Sequence, residues 1–172
     1  MEQEGCVAKR FDMTLEPKEY PAPNSYTTFV GIDPGSRNMG LAVFHDLIGR
    51  AYDIKLAVTP DRISSMLLIQ TVVNYLMEET WPDGYSRGRW LIWVEDAAFG
   101  MKYGQVQLAE SRAASMLYFA SRCSKVTVIP PASIRKMVFG DGRKKAHEVW
   151  TEVSPNAAAA MSCAIYGMLR CE

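Results

Sequence analysis

Cysteine is scarce in this chain of 172 residues and is not spaced for metal. Cys6, Cys123, Cys163 and Cys171 lie far apart with no CxxC pair, which argues against a zinc site. A disulfide scaffold is out of place in a chain long enough to bury a sizeable core, so reduced thiols in a cytoplasmic setting are the expectation. The two histidines, His45 and His147, stand alone, and surface roles are expected for both. No continuous apolar run approaches a membrane span, so no transmembrane helix is expected. Residues 1–18 mix Glu, Lys and Arg without an apolar segment, unlike a secretory leader. There is also no excess of positive charge. Lys and Arg number 19 and Asp and Glu number 19, which tells against a strongly basic nucleic-acid binder but leaves room for a local basic face. No repeat or low-complexity tract is present, and the length fits one domain.

Residues 1–25 read as an N-terminal arm, since Pro17, Pro21 and Pro23 beside Asn24 and Ser25 disfavour regular structure. The domain then runs over 26–172. Residues 26–32 read as a buried strand ending at Asp33, 34–38 (Pro-Gly-Ser-Arg-Asn) as a turn, and 39–45 and 51–58 as two more strands. Residues 46–50, with Gly49, join those two strands. Asp61 can cap a helix to about Thr80, whose apolar positions recur at helical spacing. A loop over 81–89 precedes a short buried strand, 90–94, that delivers Glu95. A long amphipathic helix over 105–122 and a strand over 125–129 follow, the latter stopped by Pro130-Pro131. Short helices are expected over 133–139 and 144–152, separated by a Gly140-Asp141-Gly142 turn. A small-residue helix over 154–169 closes the chain, with Pro155 in its first turn. Three antiparallel strands, then helix, strand, helix, strand and a terminal helix give an α/β domain. This is the layout of an RNase H-like fold, a mixed five-stranded sheet flanked by helices.

Asp33 and Glu95 each end a buried strand. Either acid alone reads as a strand terminator. Together, in this strand order, they can converge on one sheet edge, where hard oxygens attract Mg²⁺ (or Mn²⁺) for phosphodiester cleavage.

The segment 29–43, FVGIDPGSRNMGLAV, resembles the opening of the RuvC-type Holliday junction resolvases, an apolar strand followed by GIDPG. IWVEDAAF (92–99) resembles their second motif, Gly104-Gln105 their LGQ segment, and VIPPASIRKMVFG (128–140) their P-x-x-(V/I)-K stretch. Residues 154–169 resemble their closing DAxDAL helix. The likeness spans about 27–170. It implies a Mg²⁺-dependent endonuclease, a homodimer that makes paired nicks in four-way DNA junctions and needs no small-molecule cofactor beyond the metal. It further implies metal ligands at Asp33, Glu95 and the first acidic position of the closing helix. This sequence departs there: Asn156 stands at the first acidic position and Ala159 at the second. Asn156 can still offer a carbonyl oxygen, whereas Ala159 ligates nothing. An Asp→Ala substitution and a naturally inactive relative both account for Ala159.

Arg135, Lys136, Arg143, Lys144 and Lys145 form the densest basic cluster, read either as a solvated helix start or as phosphate contacts. The resemblance implies functional lysines here, matched by Lys145 (or Lys144) and by Arg135 or Lys136. Ser36, Arg37 and Gln105 fall in the family's motif segments and are DNA-contact candidates. Phe99 is either a core loop aromatic or the residue that stacks at the junction centre, with Met101 and Tyr103 as substitutes. Helix 105–122 carries Val106, Leu108, Ala109, Ala113, Met116, Leu117, Phe119 and Ala120, expected mostly in the core with part free for a dimer interface. Two rivals are a RuvC-like junction binder that does not cut, and a YqgF-type nuclease. The actin-like ATPases also begin with a strand and a D-x-G turn, but they need a second lobe that this length does not contain.

Overall fold

The computed structural model describes residues 2–3, 6–16, 27–45, 47–80, 89–96, 105–120 and 125–170. The strands are β1 (Glu2–Gln3), β2 (Cys6–Thr14), β3 (Thr27–Asp33), β4 (Asn38–His45), β5 (Ile48–Leu56), β6 (Arg89–Glu95) and β7 (Lys125–Ile129). The helices are α1 (Arg62–Thr80), α2 (Gln105–Ala120), α3 (Pro131–Phe139) and α4 (Pro155–Arg170). The strands form one sheet in the order β1-β2-β5-β4-β3-β6-β7. Pairing is antiparallel from β1 to β3 and parallel from β3 to β7.

Side chains alternate across a strand, so the sheet sorts its residues between two cores. One face carries Val30, Ile32, Met39, Leu41, Val43, Tyr52, Ile54, Ile92 and Val94 against α1 and α2 residues such as Val72, Leu76, Ala114 and Phe119. The other carries Phe29, Ala42, Phe44, Ala51, Leu91 and Trp93 against α4. Each fully buried side chain of this size stabilises the fold by roughly 1.5–3 kcal/mol. The α4 face is built for close approach. A Cβ at Gly31 would run into the Ala160 carbonyl, one at Gly40 into the Asn156 carbonyl, and one at Gly167 into the Trp93 ring. Ala157, Ala158, Ala160 and Ala164 are fully buried on the helix side of that contact. Packing therefore accounts for three of the four consecutive alanines; Ala159 is the one turned partly outward.

Helix α1 begins as expected. Asp61 Oδ1 accepts from the Ser64 N–H (2.9 Å) and Oδ2 from the Ser64 hydroxyl (2.7 Å), an N-terminal cap.

Several boundaries differ from the sequence expectation. Within the expected arm, Cys6–Thr14 is a nine-residue strand paired with β5 from Cys6↔Leu56 to Thr14↔Ile48. With β1 it brings the described sheet to seven strands, not five. Strand β5 starts at Ile48, so the link from β4 is shorter than 46–50. Helix α3 starts at Pro131 rather than Ser133, because proline at a first helical position loses no bond it could have made. The expected helix over 144–152 is only a 3-10 turn, Ala146–Glu148, closed by the Lys145 N–H donating to Glu148 Oε2 (3.0 Å). The turn before it holds, with Gly140 at φ 75°.

Among the described residues no helix is long and apolar enough to cross a membrane. Cys6 and Cys163 are buried, and the Cys163 thiol donates to the Ile32 carbonyl (3.7 Å). Cys123 and Cys171 lie outside the described residues.

Candidate metal and DNA site

Strand register places the acids. Asp33 pairs with Gly40 across β3–β4, and Gly40 pairs with Asp53 across β4–β5. On the other side of β3, Ile32 pairs with Val94, which sets Asp33 beside Glu95. Directly paired residues share a face, so Asp53, Gly40, Asp33 and Glu95 form one row on the α4 side of the sheet. Glu95 is fixed from behind. The Asp96 N–H donates to the Ile129 carbonyl (2.9 Å), and the Asp96 carboxylate pairs with Arg112 of α2.

Asp33 and Glu95 open onto a pocket also lined by Ile134, Arg135, Lys145, Ala146, His147, Pro155, Asn156, Ala159 and Ser162. Thus the structure brings together Asp33, Glu95, Asn156, Ala159, Lys145 and Arg135. Arg135 lies 3.8 Å from Glu95, so it faces the acids rather than open solvent alone. Lys136, Arg143 and Lys144 are exposed and do not line the pocket, and Arg143 lies 3.9 Å from Asp141. Ser36 and Arg37 are exposed in the β3–β4 turn. Gln105 opens α2, while its side chain, and Phe99, Met101, Tyr103 and Gly104, lie outside the described residues.

Two residues were not singled out by sequence. His147, expected at the surface, lines the pocket because the 3-10 turn folds against α4. Asp53 accepts from the Asn156 side-chain amide (2.9 Å) across 103 residues of chain. No local signal marks Asp53, because β5 also carries the charges Arg50 and Lys55, among which one acid reads as an ordinary strand residue.

Burial raises the Asp33 carboxyl to about 8, with repulsion from Glu95 and then Asp53 adding to it and Arg135 opposing. Burial also raises Glu95, again against Arg135. A desolvated acid pair with only partial cationic compensation is the electrostatic setting a divalent cation relieves. Among the described residues no three His, Cys, Asp or Glu side chains gather as a metal cluster. Two carboxylates and the Asn156 carbonyl are the available hard oxygens. That is a sparse set, but it suits Mg²⁺, which uses one or two carboxylates and completes its shell with water and phosphate.

The shift has a signed consequence for the metal-free protein. Between Asp33's ordinary value of 3.8 and about 8, the folded state holds a proton that the unfolded state has released. Stability therefore falls as pH rises through that window. The melting temperature should be higher near about pH 5 than about pH 8, and Asp33→Asn should flatten this difference. Equal pH dependence in the variant would remove Asp33 as its source.

Two solved structures share this fold. A Thermus thermophilus RuvC structure matches with TM-score 0.62 at 16% identity, covering 83% of this chain and 93% of that one. T. thermophilus RuvC in complex with a Holliday junction substrate matches with TM-score 0.57 at 14% identity, over the same shares. No family model matches the sequence, and no curated protein does. The fold is thus the RNase H-like fold of RuvC, a mixed sheet flanked by helices.

Proposed function

We propose that this chain is a RuvC-like, structure-specific DNA-junction protein of the metal-dependent endonuclease type, and that it cuts weakly or not at all because Ala159 supplies no acid. The observation that carries the reading is the half-buried pair Asp33 and Glu95 facing the same pocket as Arg135 and Lys145. Asp33, Glu95 and the Asn156 oxygen would hold Mg²⁺, which would supply Lewis-acid polarisation of a phosphodiester and an activated water. Arg135 holds positive charge against Glu95, and Lys145 offers an ammonium to a phosphate entering the pocket. The exposed Lys136, Arg143 and Lys144 extend that positive surface outward, along the path a DNA backbone would follow. A junction binder that does not cut is the second reading, and Ala159 in the pocket is what favours it.

Binding to a fluorescent four-way junction, measured against salt, tests the DNA face. Charge reversal of Arg143, Lys144 and Lys145 together should lower the slope of log affinity against log salt by about 2–3, roughly one per lost phosphate contact. An unchanged slope would move the DNA face elsewhere.

Coordinated cutting of two strands asks for two copies about a two-fold axis. Helix α2 offers the surface. Val106 (54% exposed), Ala109, Ala113, Leu117 (50% exposed) and Ala120 lie along its outer face, while Ser111, Ala114, Ser115 and Phe119 pack inward. The sequence expectation that the apolar positions of this helix are mostly core is thus corrected. The outer stripe follows a three- and four-residue spacing, with small residues that let two helices approach closely. Light scattering at micromolar concentration should report twice the chain mass. A monomer both free and junction-bound would leave only single nicks or binding.

A further inference from the structure

We propose that Asp53 is a positioning residue: its carboxylate turns the Asn156 amide so that Oδ1, not the NH₂ group, faces the Asp33–Glu95 pocket. The inference rests on the metal reading above. Asn156 lines that pocket, and its Nδ2 donates to Asp53 Oδ1 at 2.9 Å. An ionised carboxylate accepts hydrogen bonds and donates none, so Asp53 can pair only with the NH₂ end. With Nδ2 held toward β5, the carbonyl oxygen is the end left for the pocket. The opposite orientation would set two oxygens together and aim an N–H donor at a pocket already lined by Arg135 and Lys145.

The backbone makes this pairing possible. Asp53 lies in the same cross-strand row as Gly40 and Asp33. At Gly40 the missing side chain lets the Asn156 backbone settle onto the sheet, because a Cβ there would strike the Asn156 carbonyl. Asp53 is therefore one strand beyond the glycine on which the first turn of α4 rests. An acid at position 156 would instead face the Asp53 carboxylate at hydrogen-bond distance, charge against charge. Asn is the residue that satisfies Asp53 and still presents an oxygen.

The test uses the full chain labelled with ¹³C and ¹⁵N in Asn, Asp and Glu side chains, with Mg²⁺ as the probe. Without metal, Asp53→Ala should speed exchange of the Asn156 NH₂ protons, while Asp53→Asn, which keeps an oxygen acceptor, should leave exchange slow. With Mg²⁺, the Asn156 carbonyl carbon should shift in the unsubstituted chain and in Asp53→Asn. In Asp53→Ala the apparent Mg²⁺ affinity should fall about tenfold, the lower end for losing a ligand-orienting partner. Unchanged melting in Asp53→Asn separates positioning from a folding defect. Equal NH₂ exchange and equal Mg²⁺ response in all three proteins would overturn the proposal. So would Mg²⁺ shifts at Asp33 and Glu95 with none at Asn156, although the metal reading would then stand. If Mg²⁺ moves none of the three side chains, the metal reading fails and takes this inference with it.

Discussion

Ala159→Asp is expected to give this chain Mg²⁺-dependent nicking of a four-way junction, with a gain on the order of a hundredfold over the unsubstituted chain, the scale of one electrostatic group in an active site. Position 159 is three residues after Asn156, so the two share a helix face, and both line the pocket of Asp33 and Glu95. Aspartate there adds an anionic hard oxygen where the side chain now ends at a methyl group. Asp33 already sits near 8 from burial and from repulsion by Glu95 and Asp53. A further carboxylate makes the metal-free site less favourable still, so the gained activity should depend strictly on Mg²⁺. Ala158→Asp is the control. That residue is fully buried, and a charge there should unfold the protein rather than activate it. If Ala159→Asp folds, binds junctions and still makes no nick, a missing acid does not explain weak cutting.

A large loss of stability is expected for Gly31→Val. The glycine sits on β3, two residues before Asp33, under the middle of α4. A Cβ there would collide with the Ala160 carbonyl and the Ala164 backbone nitrogen, both parts of a helix rather than a side chain that can swing away. The helix must lift or the strand must sink, at a cost of about 3 kcal/mol or more. Against the ~5–15 kcal/mol of a typical domain, that leaves a substantial unfolded fraction. Lifting α4 also draws Asn156 and Ala159 away from Asp33, so junction binding by the remaining folded molecules should weaken too. Urea denaturation reads this directly as a lower midpoint. A midpoint matching the unsubstituted chain would mean the α4 contact is not as tight as the glycine geometry requires.

The parts of this fold most legible in the sequence are those with strong local signals. Strands β3 and β6 are apolar runs that stop at an acid, and that pattern read with the strand order brings Asp33 and Glu95 to one sheet edge. Helix α1 has its Asp61 cap, and α4 its Pro155 start. Strand β2 is hidden because Lys9, Arg10 and Asp12 interrupt its apolar alternation. Such charges suit a strand near the sheet edge, where among the described residues only the two-residue β1 lies beyond it. The segment after Gly142 has helix-forming residues, but only a 3-10 turn forms, so local propensity is overridden there. Asp53 is not recognisable as part of the site from sequence, because its meaning depends on a partner 103 residues later and on a glycine in the strand between. Likewise the outward face of α2 is told from its core face only by packing, with Ser111 and Ser115 buried and Leu117 exposed.

Competition binding tests the central claim most directly. The unsubstituted chain is bound to a labelled synthetic four-way junction in Mg²⁺, and unlabelled junction or linear duplex of equal length and sequence is added at matched salt. Phosphate contacts supply affinity for both DNAs, so only recognition of junction shape can separate them. The account predicts that junction displaces the label at a concentration at least about tenfold below duplex, a difference of roughly 1.4 kcal/mol. Equal displacement by the two would contradict it, leaving an RNase H-like fold with no preference for junctions.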